Sequence, residues 1–211
     1  DAKPVDKSLL LQLAECASHE DVEIIYVTER EKIKELEPLI IEASNLQFNN
    51  RQFVNELVSW LRFSKRSAEE SGDGVWSASM GMPATGRMIG GLIMRHLVSA
   101  KSEAKRWRKL ISTTPGFALF VATLGQCFQR FALKATQLNI KHAHVNMPCE
   151  ELSVRRKLTT LFDLNENRQP LLLIRFGYTE AMPYSFRRPV NDLVKHHRVD
   201  IQMSHAAGLA K

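Results

Sequence analysis

Two short apolar runs constrain the fold of this chain more than any other feature. Phe117 to Thr123 and Pro170 to Ile174 carry almost no polar side chain. Each falls far short of the roughly 20 residues that a membrane-spanning helix needs. Their aromatic and β-branched content marks them as buried strands, the second continuing through Arg175 and Phe176 to a closing Gly177. Between and around them, residues recur at helical spacing. Leu9, Leu10, Leu13 and Ala14 predict a helix over 7–17, followed by a strand over 21–28. Ile33, Leu36, Leu39, Ile40 and Ala43 predict a helix over 29–47 whose acidic start suits the positive end of its dipole. Phe53, Val54, Leu57, Trp60 and Leu61 predict another over 53–63.

Ser71-Gly72-Asp73-Gly74 and Gly81-Met82-Pro83-Ala84-Thr85-Gly86 are strong breaks, so the stretch between them is expected to be irregular. A loop of that length is either a lid over a binding site or a plain surface excursion, and both readings stay open. Further helices are expected over 88–98, 103–111, 124–138 and 148–162, with a strand over 140–146. Residues 196–211, rich in His and weakly patterned, read as a flexible tail.

At 211 residues, with 44% hydrophobic and 25% charged residues, the chain fits one soluble domain and neither a disordered nor a membrane class. Its net charge of +6 invites a nucleic-acid partner, but the distribution argues against one. Residues 1–50 carry 5 Lys and Arg against 11 Asp and Glu, whereas 51–110 and 111–211 each carry an excess of six positive charges. The segments compensate one another, and only Trp107 among Lys105, Arg106, Arg108 and Lys109 interleaves an aromatic with bases. No nucleic acid and no membrane are expected as partners. Cys16, Cys127 and Cys149 are odd in number and widely spaced, which points to a reducing cytoplasm rather than a disulfide or zinc framework. The start at Asp1, without an initiator Met, reads as a cut or processed end, so the chain is a candidate C-terminal part of a longer polypeptide.

Residues 116–194 carry an ordered set of motifs. Gly125 to Thr136 has the form Gly-x-x-x-Gln-Arg-Phe-x-Leu-x-Ala-Thr. Leu138-Asn139-Ile140, Asn146-Met147-Pro148 and Arg155-Arg156-Lys157-Leu158 follow, then Pro170 to Tyr178, Pro183-Tyr184-Ser185 and Arg187-Arg188-Pro189-Val190. This set resembles the nitroreductase family, and with Phe53 to Phe63, Asp73-Gly74 and Gly81-Met82-Pro83 it resembles an atypical, Acg-like branch of it. The resemblance implies a single α+β, nitroreductase-like domain with a central mixed or antiparallel sheet flanked by helices. It implies FMN as cofactor, a homodimer, and an oxidoreductase taking hydride from NAD(P)H for a small-molecule electron acceptor.

It also assigns residues. A basic phosphate ligand falls at Arg187 or Arg188, where two guanidinium groups precede a φ-fixing proline; the other reading is a solvated pair at a chain turn. The turn Asn146-Met147-Pro148-Cys149 ends a strand and opens a helix, and free amides at a helix start bond electron-rich acceptors. In the family such a turn lies against the flavin ring with an N–H toward N5; an ordinary strand-to-helix connection is the other reading. Met80, Gly81, Met82 and Pro83 are the candidate lid. A metal site at His142, His144 and Cys149 lacks a completing carboxylate or second cysteine. Cys149 stands after a proline where a thiolate would be favoured, yet no base accompanies it. No residue is assigned as catalytic, because a flavin carries its own chemistry.

The family's opening Arg-Ser-x-Arg stretch and its Gln-Pro-Trp segment are both missing, and Ser18-His19-Glu20-Asp21 stands where the second is expected. Two rival expectations follow: a flavin-storing protein with a lidded, non-catalytic site, or a cofactor-free domain of a larger fused protein.

Overall fold

The apolar run at Phe117 becomes a strand with helices over both of its faces. The computed structural model describes residues 2–18, 22–82, 90–91, 99–121, 125–165, 168–186 and 188. In chain order these form α1 (Lys7–Ala17), β1 (Glu23–Val27), α2 (Arg30–Asn49), α3 (Arg51–Trp60), β2 (Leu61–Arg62), α4 (Lys65–Ser71), β3 (Val75–Trp76) and a 3-10 turn (Ser77–Met80). Then come α5 (Ala100–Ser112), β4 (Gly116–Val121), α6 (Gly125–Gln137), β5 (Lys141–His144), α7 (Met147–Glu150), α8 (Leu152–Leu161) and β6 (Pro170–Gly177). They gather in two compact units, the first from Asp1–Val54 with His96–Ala181, the second from Asn55–Arg95 with Met182–Lys211.

In the first unit β1, β4, β6 and β5 stand side by side in that order, every pair antiparallel. Side chains alternate across a strand, and β4 shows the result. Phe117, Leu119 and Val121 join one buried cluster with Ile33, Leu36 and Ile40 of α2, Trp107 and Ile111 of α5, and Leu158 of α8. Ala118 and Phe120 join the other, with Leu13 and Ala17 of α1 and Phe131 and Ala135 of α6. Both faces of β4 are therefore dry, and all six residues are buried. That is why its sequence is an unbroken apolar run rather than an alternating one.

The helices that cover the sheet show ordinary terminal chemistry. Asp6 caps α1, its carboxylate accepting the Ser8 amide at 2.7 Å. Ser99 and Ser102 form a reciprocal box at the start of α5. α2 contains Pro38, an exposed residue that cannot donate to the carbonyl one turn back.

The second unit is built around Arg62. Its guanidinium donates to Asp73 Oδ1 at 2.6 Å, to the Ser59 carbonyl at 2.7 Å and to Ser71 Oγ at 3.1 Å, tying α3, β2 and the α4 terminus together. The Asp73 carboxyl is held below its ordinary value, chiefly by the Arg62 hydrogen bond and then by that of Ser71. β2 and β3 form a parallel pair, Leu61 opposite Val75 and Arg62 opposite Trp76. Gly74 between them has φ 69°, and a Cβ there would lie 2.4 Å from the Trp60 carbonyl oxygen, so only glycine closes this turn.

The four-stranded sheet is antiparallel throughout, one of the two arrangements expected for the central sheet. Other expectations change. The helix expected over 53–63 stops at Trp60, because Leu61 and Arg62 are drawn into pairing with β3. The expected irregular stretch holds β3 and a 3-10 turn. The helix expected over 148–162 is two helices, interrupted at Glu151, whose ψ of 107° is extended. Of the helix expected over 88–98 only 90–91 are described, and both are helical; the tail 196–211 lies outside the described residues. No helix among the described residues is long and apolar enough to cross a membrane.

Candidate functional site

The turn at Asn146 is the best-defined piece of the expected site, and its geometry follows from where β5 ends. The ladder between β5 and β6 runs to His144 opposite Ile174 and gains one more bond, Val145 N–H to the Leu173 carbonyl at 2.9 Å. The next backbone acceptor in a regular ladder would have to come from the departing chain. Asn146 supplies it from its side chain instead, Oδ1 accepting the Leu173 N–H at 3.1 Å. Leu173 is fully buried, so this donor needs a partner. Asn146 Nδ2 turns the other way and donates to Glu150 Oε1 at 3.1 Å, while Glu150 Oε2 accepts from the buried Gln47 amide at 2.9 Å.

The amides of the turn divide into two groups. Those of Cys149 and Glu150 both close onto the Asn146 carbonyl, and that of Glu151 closes onto Met147. The amides of residues 149 and 150 are therefore spent within α7, a helix of only four residues. Those of Asn146 and Met147 have no hydrogen-bond acceptor among the described residues, and both residues are half-buried. Pro148 and Cys149 are buried beneath them.

The Cys149 thiol is not activated. Burial pushes it up to about 12, with the Glu150 charge adding to the effect, against smaller opposing influences from Arg155 and the Leu173 amide. The favour that a position after a proline lends a thiolate is thus outweighed by burial. His142 and His144 lean the other way, their rings meeting Phe128 edge-on in the layer of α6. Burial, then His144, holds His142 below its ordinary value. No cluster of three potential metal ligands occurs among the described residues.

The remaining assigned residues belong to the second unit. Arg188 is exposed; its side chain passes 3.4 Å from where a Cβ on Gly72 would sit, and its charge contributes to lowering Asp73. Arg187 lies outside the described residues, as does Pro83. Met80 is half exposed, and Gly81 ends the 3-10 turn at φ 75° with Met182 Cε only 2.6 Å from where its Cβ would be. The Gly81 amide donates to Ala78 and that of Met82 to Ser77, both at 3.1 Å, so the candidate lid begins as a closed turn.

Sequence reading missed Gln47 and Glu150, because nothing local distinguishes a glutamine on an amphipathic helix from its neighbours. It also passed over Arg175, a half-buried guanidinium inside β6 without an ion-pair partner among the described residues. Burial, and secondarily Arg106, lowers its basicity.

No protein-family model matches the chain, and no curated protein does. Solved structures do resemble it. An iodotyrosine deiodinase bound to FMN and 3-iodo-L-tyrosine superposes with a TM-score of 0.54 at 10% identity, over 90% of this chain and 87% of that one. A nitroreductase with bound FMN from Desulfitobacterium hafniense DCB-2 gives 0.49 at 13% identity, over 91% and 87%. One from Bacteroides fragilis NCTC 9343, also with bound FMN, gives 0.47 at 16%, over 90% and 87%. The chain has a nitroreductase-like α+β fold, helix-rich around a small antiparallel sheet, and shares it with that deiodinase along most of its length.

Proposed function

We propose that this chain binds FMN and works as a flavin-dependent oxidoreductase drawing hydride from NAD(P)H. The observation that carries the reading is the pair of unspent amides at Asn146 and Met147, half-buried at the end of a strand whose own ladder is complete. The deiodinase of the same fold is one bound to FMN. The donor set suits a flavin ring, since two fixed N–H groups stabilise an electron-rich ring nitrogen and the negative charge that gathers on reduction. When bound, FMN supplies hydride acceptance and return, and the protein supplies binding, orientation and ring electronics. Here the chain's part is to hold those amides rigid over the buried Pro148 and Cys149, from which water is kept away. Burial keeps the Cys149 thiol protonated.

For the phosphate, guanidinium chemistry favours Arg187 and Arg188. Met80, Gly81, Met82 and Pro83 are proposed as the lid, a homodimer as the assembly, and the Acg-like branch as the relationship. Free thiols at Cys16, Cys127 and Cys149 support a reducing, cytoplasmic setting. A second reading is flavin storage without turnover, in which the methionine-rich, Gly- and Pro-broken stretch covers the site; Met182 packs against Gly81 where that stretch begins.

One preparation separates the readings. The chain, incubated with FMN and desalted, should stay yellow and bleach on adding NADH or NADPH. A yellow protein that stays oxidised supports storage, and a colourless one removes the cofactor. Replacing Arg187 and Arg188 together with Ala should weaken retention by roughly tenfold or more, each decade being about 1.4 kcal/mol; unchanged retention removes the phosphate assignment.

A further inference from the structure

The turn that presents the two amides is held by a side-chain relay that reaches across the fold. Gln47 stands on the last turn of α2, 103 residues before Glu150 in the chain, and is only 6% exposed. Its Nε2 donates to Glu150 Oε2 at 2.9 Å, Glu150 Oε1 accepts from Asn146 Nδ2 at 3.1 Å, and Asn146 Oδ1 accepts the buried Leu173 amide at 3.1 Å. The order of donors and acceptors in this chain is forced. The Leu173 N–H can only donate, so the carboxamide oxygen must face it; the carboxamide NH2 then needs an acceptor, which a carboxylate supplies. A carboxylate that receives an NH2 group on each oxygen cannot rotate without losing one of them. Gln47, anchored in the buried face of α2, fixes the far end.

We propose that Gln47 and Glu150 are positioning residues: through Asn146 they fix the backbone of residues 145–147 and so the direction of the Asn146 and Met147 amides. The inference rests on the reading of that turn as the flavin contact, and it assigns to the same site a support from α2 that touches no ligand. A relay of this kind acts through donor and acceptor polarity rather than through volume. Its failure should therefore follow the sign of the groups and be repaired by reversing them.

Gln47→Glu sets one carboxylate against another where a donor stood. In Gln47→Glu combined with Glu150→Gln, the introduced amide donates to the introduced carboxylate and still accepts from Asn146, so the relay is restored with its polarity reversed. Gln47→Met removes the donor at similar volume and guards against a Gln47→Glu chain that fails to fold. Two measurements are made on the full chain. Hydrogen exchange at the Leu173 amide, without flavin, should rise roughly tenfold in Gln47→Glu, several-fold in Gln47→Met, and return to within about twofold of wild type in the double variant. The dissociation constant for FMN should follow the same order. Unchanged exchange across the series overturns the relay, and altered exchange with unaltered FMN affinity in a chain that binds FMN overturns its positioning role. A wild-type chain that takes up no FMN removes the functional reading; the exchange series then decides the relay alone, a tenfold rise upholding it and an unchanged rate overturning it.

Discussion

Gly116→Ala tests how tightly the sheet is packed where β4 begins. Gly116 pairs with Phe176 across β4 and β6, and a Cβ added to it would lie 2.5 Å from the far ring carbon of Phe176 and 2.9 and 3.2 Å from the carbons beside it. Phe176 is 3% exposed and its ring meets that of Tyr26 at 6.2 Å, so it has little room to retreat. The backbone at Gly116 is not left-handed, and conformational strain does not enter; the cost is steric overlap alone. Overpacking of this kind costs about 1–3 kcal/mol, and the smaller conformational freedom of alanine in the unfolded chain returns about 0.4–1 kcal/mol. The net expectation is a loss of about 1–2 kcal/mol, or roughly 2–8 °C in melting temperature for a chain of this size. Urea and thermal denaturation of Gly116→Ala, Phe176→Leu and the double variant measure it. Leucine has no atoms where the three clashing ring carbons stand, so the double variant should be more stable than the two single losses added together, by about 1 kcal/mol. Wild-type stability in Gly116→Ala, or strictly additive losses, would refute the argument.

Two further outcomes are expected. Burial holds His142 below its usual 6.5, with His144 adding to the effect; the unfolded chain then binds a proton first as pH falls through 6.5, so stability should decline between pH 7 and the depressed folded value, and urea midpoints of His142→Phe should lose that slope. Among the thiols, exposed Cys16 should react with iodoacetamide at pH 8 in the native chain while buried Cys127 and Cys149 should not, as mass spectrometry with and without denaturant will show.

What could be read in advance divides along physical lines. The apolar runs that became β4 and β6 were legible because burial on both faces leaves almost no polar side chain in the strand, and the stripes that became α1, α2, α5 and α6 because burial of one face imprints a period. The pairing of β2 with β3 left no such mark. It depends on the Arg62 guanidinium reaching Asp73, and on Gly74 passing close beneath the Trp60 carbonyl. The break at Glu151 was equally hidden, since Cys149, Val154 and Leu158 keep enough apolar spacing to suggest one helix. At the candidate site the sequence marked the turn from Asn146 to Cys149, but which of its amides lack an acceptor follows from the hydrogen bonds that close within α7, and spacing does not record those. Its support from Gln47 is a contact between segments 103 residues apart, and no spacing rule connects them.

The strand order has a consequence for synthesis of the chain. β6 lies between β4 and β5, yet it is made after both. Until residue 177 has emerged, β4 offers one unpaired edge and β5 has no neighbour at all, so two strands wait with open hydrogen-bonding groups for the last one. Such late, long-range closure slows folding and leaves the incomplete chain prone to edge-to-edge association. Truncation before Pro170 should therefore yield an aggregate rather than a smaller folded protein.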